Sequence, residues 1–518
     1  MDSQQSQIKV NPWLVAAAVI VPTFMEVLDT TVVSVSLTQI AGSLAASNTE
    51  ATWVQTSYLI SNAVVLPASA WFSSFFGRKR FLLACIVLFT LSSFVCGVAP
   101  TMGVLVAARV LQGAGGGALQ PLSQAILLES FPPSKHGVAM AAYVFGVIVA
   151  PVLGPVLGGW ITDNYSWRWL FYMNLPVGLL AVWMIQRFVF DPDYIRNAKP
   201  GRIDKIGFGL LTLWLGTMQT VLDKGQDADW FEAQWIRWFS LVSAAAFVGF
   251  VIWELRYSHP IADLRIFKNR NFAVGTILVS VTAILMYGPL TLLPLFLQNL
   301  MGYSSLLSGL AQAPRGLETL LASFLVGLMV NHFDNRKLIG VGIFMIGISS
   351  LMLGGLNLEF APSTLYWPQF LQGVGLAFCM VPLMTVAVGM LKKEQMGNAT
   401  GIFSLARNLA GSVGISLVTT MVTRKAQIHQ ATLVTHASPY DPAYQIAAQK
   451  AQAALAAQVG TAQAPAMADG MIYQSMSQQC YMLAYVDVFL WLALVCFLAI
   501  PLVILLKRVI AKGPVLAH

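Results

Sequence analysis

Two carboxylates, Glu26 and Asp29, lie inside an apolar stretch from about Trp13 to Leu37 that holds no other charge. An ionisable group at the middle of a bilayer costs about 2.5–3.5 kcal/mol on insertion scales, so such groups persist mainly where they bind or carry ions and protons. Three residues apart on a helix, the two share one face, one turn apart. A carboxylate there can take up and release a proton, and a nearby cation biases which state it prefers. Arg109 is the only charge between residues 103 and 128. At 1.5 Å per residue, Asp29 lies about 13 Å and Arg109 about 9 Å from the same end of their segments. The two are expected to pair as the proton-coupling unit, with a static buried ion pair as the competing reading. Glu26, one turn further in, reads as a second proton site or a contact for cationic substrate. The bland alternative is a carboxyl that stays protonated and only hydrogen-bonds.

The elements that hold these charges must be membrane spans. The chain has 518 residues, of which 57% are hydrophobic and only 10% charged; soluble domains carry about 25%. Mean hydropathy is +0.69. An all-α membrane protein follows, with fourteen segments of spanning length. They run 13–38, 52–74, 81–99, 103–129, 138–160, 169–190, 205–223, 234–253, 272–300, 305–330, 338–357, 366–391, 397–423 and 481–506. The first is too long for a signal-peptide core and lacks a small-residue cleavage site, so it is expected to be retained. With a cytoplasmic N-terminus, 21 of the 30 Lys and Arg fall on the cytoplasmic side and 6 on the other. That bias predicts both termini inside. The net charge of +8 is then a topology signal rather than a nucleic-acid surface.

Segments 111–154 and 371–414 match without a gap at an offset of 260. Leu111-Gln112-Gly113 corresponds to Leu371-Gln372-Gly373, Gly115 to Gly375, Gly137 to Gly397, and Gly154 to Gly414. Two parallel six-helix halves follow, with a site expected between them near the midplane. The division is a cytoplasmic N-terminus 1–12, a half 13–190, two inserted helices 205–253, a second half 272–506 including an outer loop 424–480, and a cytoplasmic tail 507–518. The loop is rich in Ala and Gln, and its stretch near 443–468 reads either as helix or as a floppy loop. Packing residues should recur in both halves, and the glycines do. Arg109 does not, since its counterpart is Gln369, and Arg407 faces Val147 in the repeat. Charges that break the repeat point to function.

Arg315 and Glu318 also stand three apart and are expected to pair on one helix face. A cavity-lining Arg315 suited to an anionic substrate is the alternative, and Pro314 and Gly316 predict a locally irregular helix. Asp487 reads as snorkelling at a span end, and Glu129 as solvated at the cytoplasmic end. Gln112, Arg407, Tyr143 and Tyr287, with Met286, are candidate cavity residues. The five cysteines show no metal spacing and no disulfide framework. There is no phosphate-binding Gly-x-x-x-x-Gly-Lys-Ser/Thr loop, and all six histidines are placed in loops or tails. An ATP-driven pump or membrane-embedded enzyme is disfavoured, and no cofactor or metal is expected.

The motifs carry a resemblance. Leu28-Asp29-Thr30-Thr31-Val32-Val33, Gly77-Arg78-Lys79-Arg80, and Arg109 with Gln112 and Gly113 resemble motifs of the major facilitator superfamily. Gly146, Pro151, Gly154-Pro155 and Gly158-Gly159 resemble its antiporter motif. Trp167-Arg168-Trp169, Asn174 and Pro176 are similar to the fourteen-span drug:proton antiporters, and the long span 13 with its outer loop to the EmrB-like inner-membrane pumps. Ser34, Thr38, Ala70 and Ser74 depart from the motifs, the last two weakening the usual charge latch between halves. The span 5 glycines and prolines are expected to seal one half against the other. The resemblance implies a proton-coupled multidrug exporter of hydrophobic or amphipathic compounds in a bacterial inner membrane. It also implies a periplasmic adaptor of the EmrA type and a TolC-type outer-membrane channel, with 424–480 as the docking element. A narrow-substrate transporter, for an organic acid or siderophore, is the alternative.

Overall fold

The computed structural model describes residues 11–507 except 35, 47, 52, 133–134, 192–203, 227, 259, 304, 331, 389–390, 392, 436–439 and 461–462. The expected tails, apart from residues 11–12 and 507, lie outside the described residues, as do the side chains of Ser34, Thr38, Ala70, Ser74, Pro151 and Pro155. The described chain is helical throughout. In order it forms α1 (Pro12–Ser34), α2 (Leu37–Ser43), α3 (Asn48–Ala51), α4 (Trp53–Phe76), α5 (Arg78–Val98), α6 (Met102–Gly116), α7 (Leu119–Ser130), α8 (His136–Asn164), α9 (Trp169–Tyr172) and α10 (Asn174–Phe188). There follow α11 (Lys205–Lys224), α12 (Gln234–Arg256), α13 (Arg270–Leu295), α14 (Ser305–Met329), α15 (Asn335–Leu353), α16 (Tyr366–Val388), α17 (Lys393–Val434), α18 (Pro442–Val459) and α19 (Ala464–Ala499). Among the described residues, ten stretches are long and apolar enough to cross a membrane.

Several expected spans take a different form. The 103–129 segment is two helices, broken at Gly117-Ala118. A side chain at Gly117 would overlap the Asn62 carbonyl of α4, so the break lets two backbones touch. Helix α7 is buried along its apolar and polar faces alike from Leu119 to Leu128. Helix α14 runs unbroken through Pro314, contrary to the irregularity expected there. His136 opens α8 and His429 sits within α17, so these two are helical rather than loop residues.

The repeat is visible as packing. A Cβ at Gly113 would overlap the Tyr58 carbonyl, and one at Gly373 the Arg315 carbonyl. Gly115 lies against the Cys85 carbonyl and Gly375 against that of Gly342. Small residues thus let α6 and α16 press onto α4 and α14, and onto α5 and α15. The halves meet where α8 packs on α14 and α4 on α17. At the end of the bundle bearing Arg78, Lys79 and Lys135, Gly137 lies against the Gly327 carbonyl, closing α8 on α14. The inserted pair α11–α12 packs on itself, with α11 touching α4 and α17.

The expected loop 424–480 is largely helix. Helix α17 has 42 residues, about 63 Å at 1.5 Å each, twice the roughly 30 Å of a bilayer core. Helix α19 has 36 residues and begins at Ala464. Hydropathy marks where a chain leaves lipid, while Ala- and Gln-rich composition keeps it helical beyond that point. Asp487 of α19 does not merely snorkel: it accepts from Lys425 at 3.2 Å and His429 at 3.1 Å, both on α17. Helix α18 packs on α19, and the Tyr444 hydroxyl donates to Asp469 at 2.8 Å. That bond holds the Tyr444 pKa above its ordinary value.

Candidate functional site

Asp29 and Arg109 form an ion pair at 2.5 Å, and both side chains are fully excluded from solvent. Helix α1 delivers the carboxylate and α6 the guanidinium. The other carboxylate oxygen accepts from Gln112 Nε2 at 3.1 Å and Asn174 Nδ2 at 2.7 Å. Arg109 donates from Nε to the Val54 carbonyl at 2.9 Å and from Nη1 to Gln112 Oε1 at 2.8 Å. Its carbon Cζ lies 4.3 Å from the Tyr58 ring centre, a cation–π arrangement. The pair is therefore a node joining α1, α4, α6 and α10. In the sequence Asn174 stands only within a motif; its role shows once α10 is folded against α1, with Ser93 Oγ 3.0 Å from the same amide.

Glu26 is buried one turn away and engages different partners. Tyr58 Oη donates at 3.2 Å, Asn62 Nδ2 at 3.0 Å and Gln120 Nε2 at 2.8 Å. Gln120 Oε1 in turn accepts from Arg407 Nη2 of α17. This chain leads from α1 through α7 into the other half. Gln120 is one of three glutamines in the 103–129 segment, and nothing in the sequence separates it from Gln124.

A cavity opens beside Gln120 between the halves. Val27, Tyr143 and Val147 line it from one half; Met286, Tyr287, Arg315, Thr319, Met380 and Arg407 line it from the other. Its charged lining is two arginines and no carboxylate. Arg315 does not pair with Glu318. It reaches Gln372 Oε1 and Gln312 Oε1, each at 3.4 Å, while Glu318 accepts from Tyr366 Oη at 3.4 Å. Spacing on one helix allowed the pair, but α16 supplies each member with another partner. Gln112 belongs to the ion-pair node rather than the cavity wall.

The residues expected to gate behave differently from the expectation. Gly77 adopts φ +85° and caps α5, where a Cβ would meet Asp191 Oδ2 at 2.9 Å. Asp191 accepts from the Lys79 backbone N–H at 2.8 Å, placing an anion on the helix N-terminus. Arg78 pairs with Glu129 inside the same half, so Glu129 is not simply solvated. Arg80 is exposed. Gly146 lies against Ile20 and Gly154 against Thr31, so these glycines seat α8 on α1 rather than sealing one half on the other. Gly158 and Gly159 are buried further along α8.

Residues 19–415 match the family model described as Major Facilitator Superfamily. The chain is 34% identical over 490 residues to the multidrug export protein EmrB of Escherichia coli K12, covering 94% of this chain and 93% of that one. It is 35% identical over 490 residues to the fatty acid resistance protein FarB of Neisseria gonorrhoeae, covering 95% of each. Among solved structures, a double-tryptophan mutant of XylE superposes with a TM-score of 0.61 at 14% identity, covering 97% of each chain. The proton:xylose symporter XylE bound to a bromodeoxyglucose gives 0.58 at 15%, covering 95% and 96%. These last two speak to the fold alone.

Proposed function

The chain belongs to the major facilitator superfamily, and from that premise we propose that it is a proton-coupled exporter of hydrophobic or amphipathic compounds. The observation that carries the reading is the solvent-excluded Asp29–Arg109 pair, set one turn from Glu26 and so from the Gln120–Arg407 link to the cavity. Relatives named for multidrug export and fatty acid resistance support the substrate class. Membership in a family of transporters also favours transport over enzymatic chemistry.

The mechanism follows from the node. With Asp29 ionised, Arg109, Gln112 and Asn174 hold α1 against α6 and α10. A proton on Asp29 cancels its attraction to Arg109 and turns one of its oxygens into a donor. The node then loosens, and the balance between outward- and inward-facing arrangements shifts by the difference in proton affinity of the two. Substrate in the cavity pulls on the same halves through Gln120 and Arg407. Proton and substrate therefore act on one equilibrium, and exchange requires that each, when bound, disfavour the other.

Fourteen crossings complete the reading. Besides the ten apolar stretches, α4, α8, α11 and α14 have 24, 29, 20 and 25 residues, at least about 30 Å each. An even number of crossings puts both termini on one side, and the positive charges place that side in the cytoplasm. The α17–α19 projection then lies outside, where it docks a periplasmic adaptor feeding an outer-membrane channel. Two cavity arginines and the FarB relative favour one narrower version, an exporter of amphipathic acids. The test is export of a dye from proteoliposomes under an imposed pH gradient without ATP. Asp29→Asn should abolish it; pH-driven export retained in that variant would remove Asp29 from the role.

A further inference from the structure

We propose that the second half holds an anion subsite, formed by Arg315 with Gln372 and Gln312, that takes the acid group of an amphipathic substrate. It deepens the exporter reading and rests on it for the identity of the anion's carrier.

The two halves supply the comparison. In the first, Gln112 and Arg109 of α6 face Asp29, and Gly113 rests on the Tyr58 carbonyl. In the second, α16 places Gln372 and Gln369 at the same repeat positions, and Gly373 rests on the Arg315 carbonyl. Arg315 thus stands where Tyr58 stands. The guanidinium has moved from one helix of the pair to the other, and the glutamine beside it is kept. The carboxylate is not. Gly414 rests on Ile284 as Gly154 rests on Thr31, which sets Thr282 of α13 in the place of Asp29.

Arg315 is 5% exposed, and among the described residues it makes no ion pair. Its two side-chain hydrogen bonds are both long, at 3.4 Å, and both go to neutral amides. The Gln372 amide that it touches has its Nε2 buried and without a partner. A buried guanidinium without a counter-ion is costly, and so are orphaned buried donors. One ligand group relieves both. A carboxylate matches the guanidinium fork with two oxygens and accepts from the neighbouring amide. A cation is repelled by Arg315 and Arg407, and a neutral group leaves the charge unpaired. The rest of the wall, including Val27, Val147, Met286, Leu290 and Met380, suits an apolar body attached to that acid. Arg407 already donates to Gln120, which leaves Arg315 as the arginine of the cavity without a side-chain acid or relay to serve.

The experiment uses the full chain in nanodiscs and compares pyrenebutanoate with pyrenebutanol, read by energy transfer from tryptophan after subtracting empty discs. The wild type should bind the acid. Arg315→Gln should weaken acid binding by about 10-fold or more, the size of a lost charge-assisted contact, and change alcohol binding less than about 2-fold. Arg315→Lys should fall between, because it keeps the charge and loses the fork. Gln372→Met should weaken the acid alone. Equal acid binding by wild type and Arg315→Gln overturns the proposal, as does a parallel loss of acid and alcohol. Export of a neutral dye by the wild type is measured separately. Export without Arg315-dependent acid binding overturns the subsite and leaves the exporter. Arg315-dependent acid binding without proton-driven export does the reverse.

Discussion

Glu26 of the first half and Arg407 of the second hold opposite ends of one carboxamide, that of Gln120. The amide can satisfy both only in one orientation, with nitrogen toward the carboxylate and oxygen toward the guanidinium. Arg407 can only donate, so it fixes the amide oxygen toward itself and the amide nitrogen toward Glu26, and losing Gln120 cuts the link at both ends. Gln120→Leu should cut export by about 10-fold or more while costing about 1–3 kcal/mol of stability from the stranded groups. Asn62→Leu also removes a donor from Glu26, but one within the same half. It should cost similar stability and retain most export. Transport rates and thermal unfolding of the two variants decide it; equal transport loss would place the effect in Glu26 burial rather than in the cross-half link.

The Asp29–Arg109 pair should show strong coupling in a double-mutant cycle. Asp29→Asn or Arg109→Gln alone strands a buried charge, which costs about 3–5 kcal/mol. The double variant strands neither and should be less destabilised than the sum by about 1–3 kcal/mol. Thermal unfolding in detergent reads this directly. Strict additivity would mean that the two charges are satisfied independently, through Asn174 and the Val54 carbonyl.

Glycines inside helices should be sharply unequal. Gly113→Ala and Gly373→Ala drive a methyl into a carbonyl of the neighbouring helix, and overpacking of that kind costs about 1–3 kcal/mol. Gly103 and Gly340 have nothing within 4 Å of an added Cβ. Their alanine variants should be neutral or slightly stabilised, since alanine favours helix by about 1 kcal/mol. Unfolding temperatures of the four variants check the set.

Gly113 and Gly373 were legible because a gapless repeat fixes which residues pack, whatever they pack on. The pairing of Asp29 with Arg109 was legible too, since depth along two apolar runs is simple arithmetic. What sequence spacing could not reveal were partners supplied by a third helix. Arg315 and Glu318 share a helix face, yet Gln372 and Tyr366 of α16 draw them apart. Gly146 and Gly154 were expected between the halves, but any small-residue surface fits several neighbours, and here it fits α1. Arg78 found Glu129 for the same reason. Past residue 423 the Ala- and Gln-rich stretch near 443–468 was legible as a candidate helix, but the reach of α17 to Val434 was not, because hydropathy falls at the lipid boundary while helix propensity does not.

That projection supports a last prediction. Helix α17 reaches Val434 and α19 starts at Ala464, tied by Asp487 to Lys425 and His429 and by Gln430 to Tyr473 at 3.2 Å. These bonds lie on partly exposed side chains, so each contributes only about 0–1 kcal/mol. Asp487→Asn should therefore leave global unfolding within a few degrees while raising hydrogen exchange in 425–434 and 464–480. Deleting 440–470, which removes α18 and the start of α19, takes away surface and little membrane-embedded packing. Substrate binding and export into the lumen of inverted vesicles should persist, while release from whole cells into the medium is lost. If whole-cell efflux survives the deletion, docking lies elsewhere on the protein. If vesicle transport is lost with it, the projection serves the transport cycle itself, and α17 transmits to its outer end what happens at Arg407 within it.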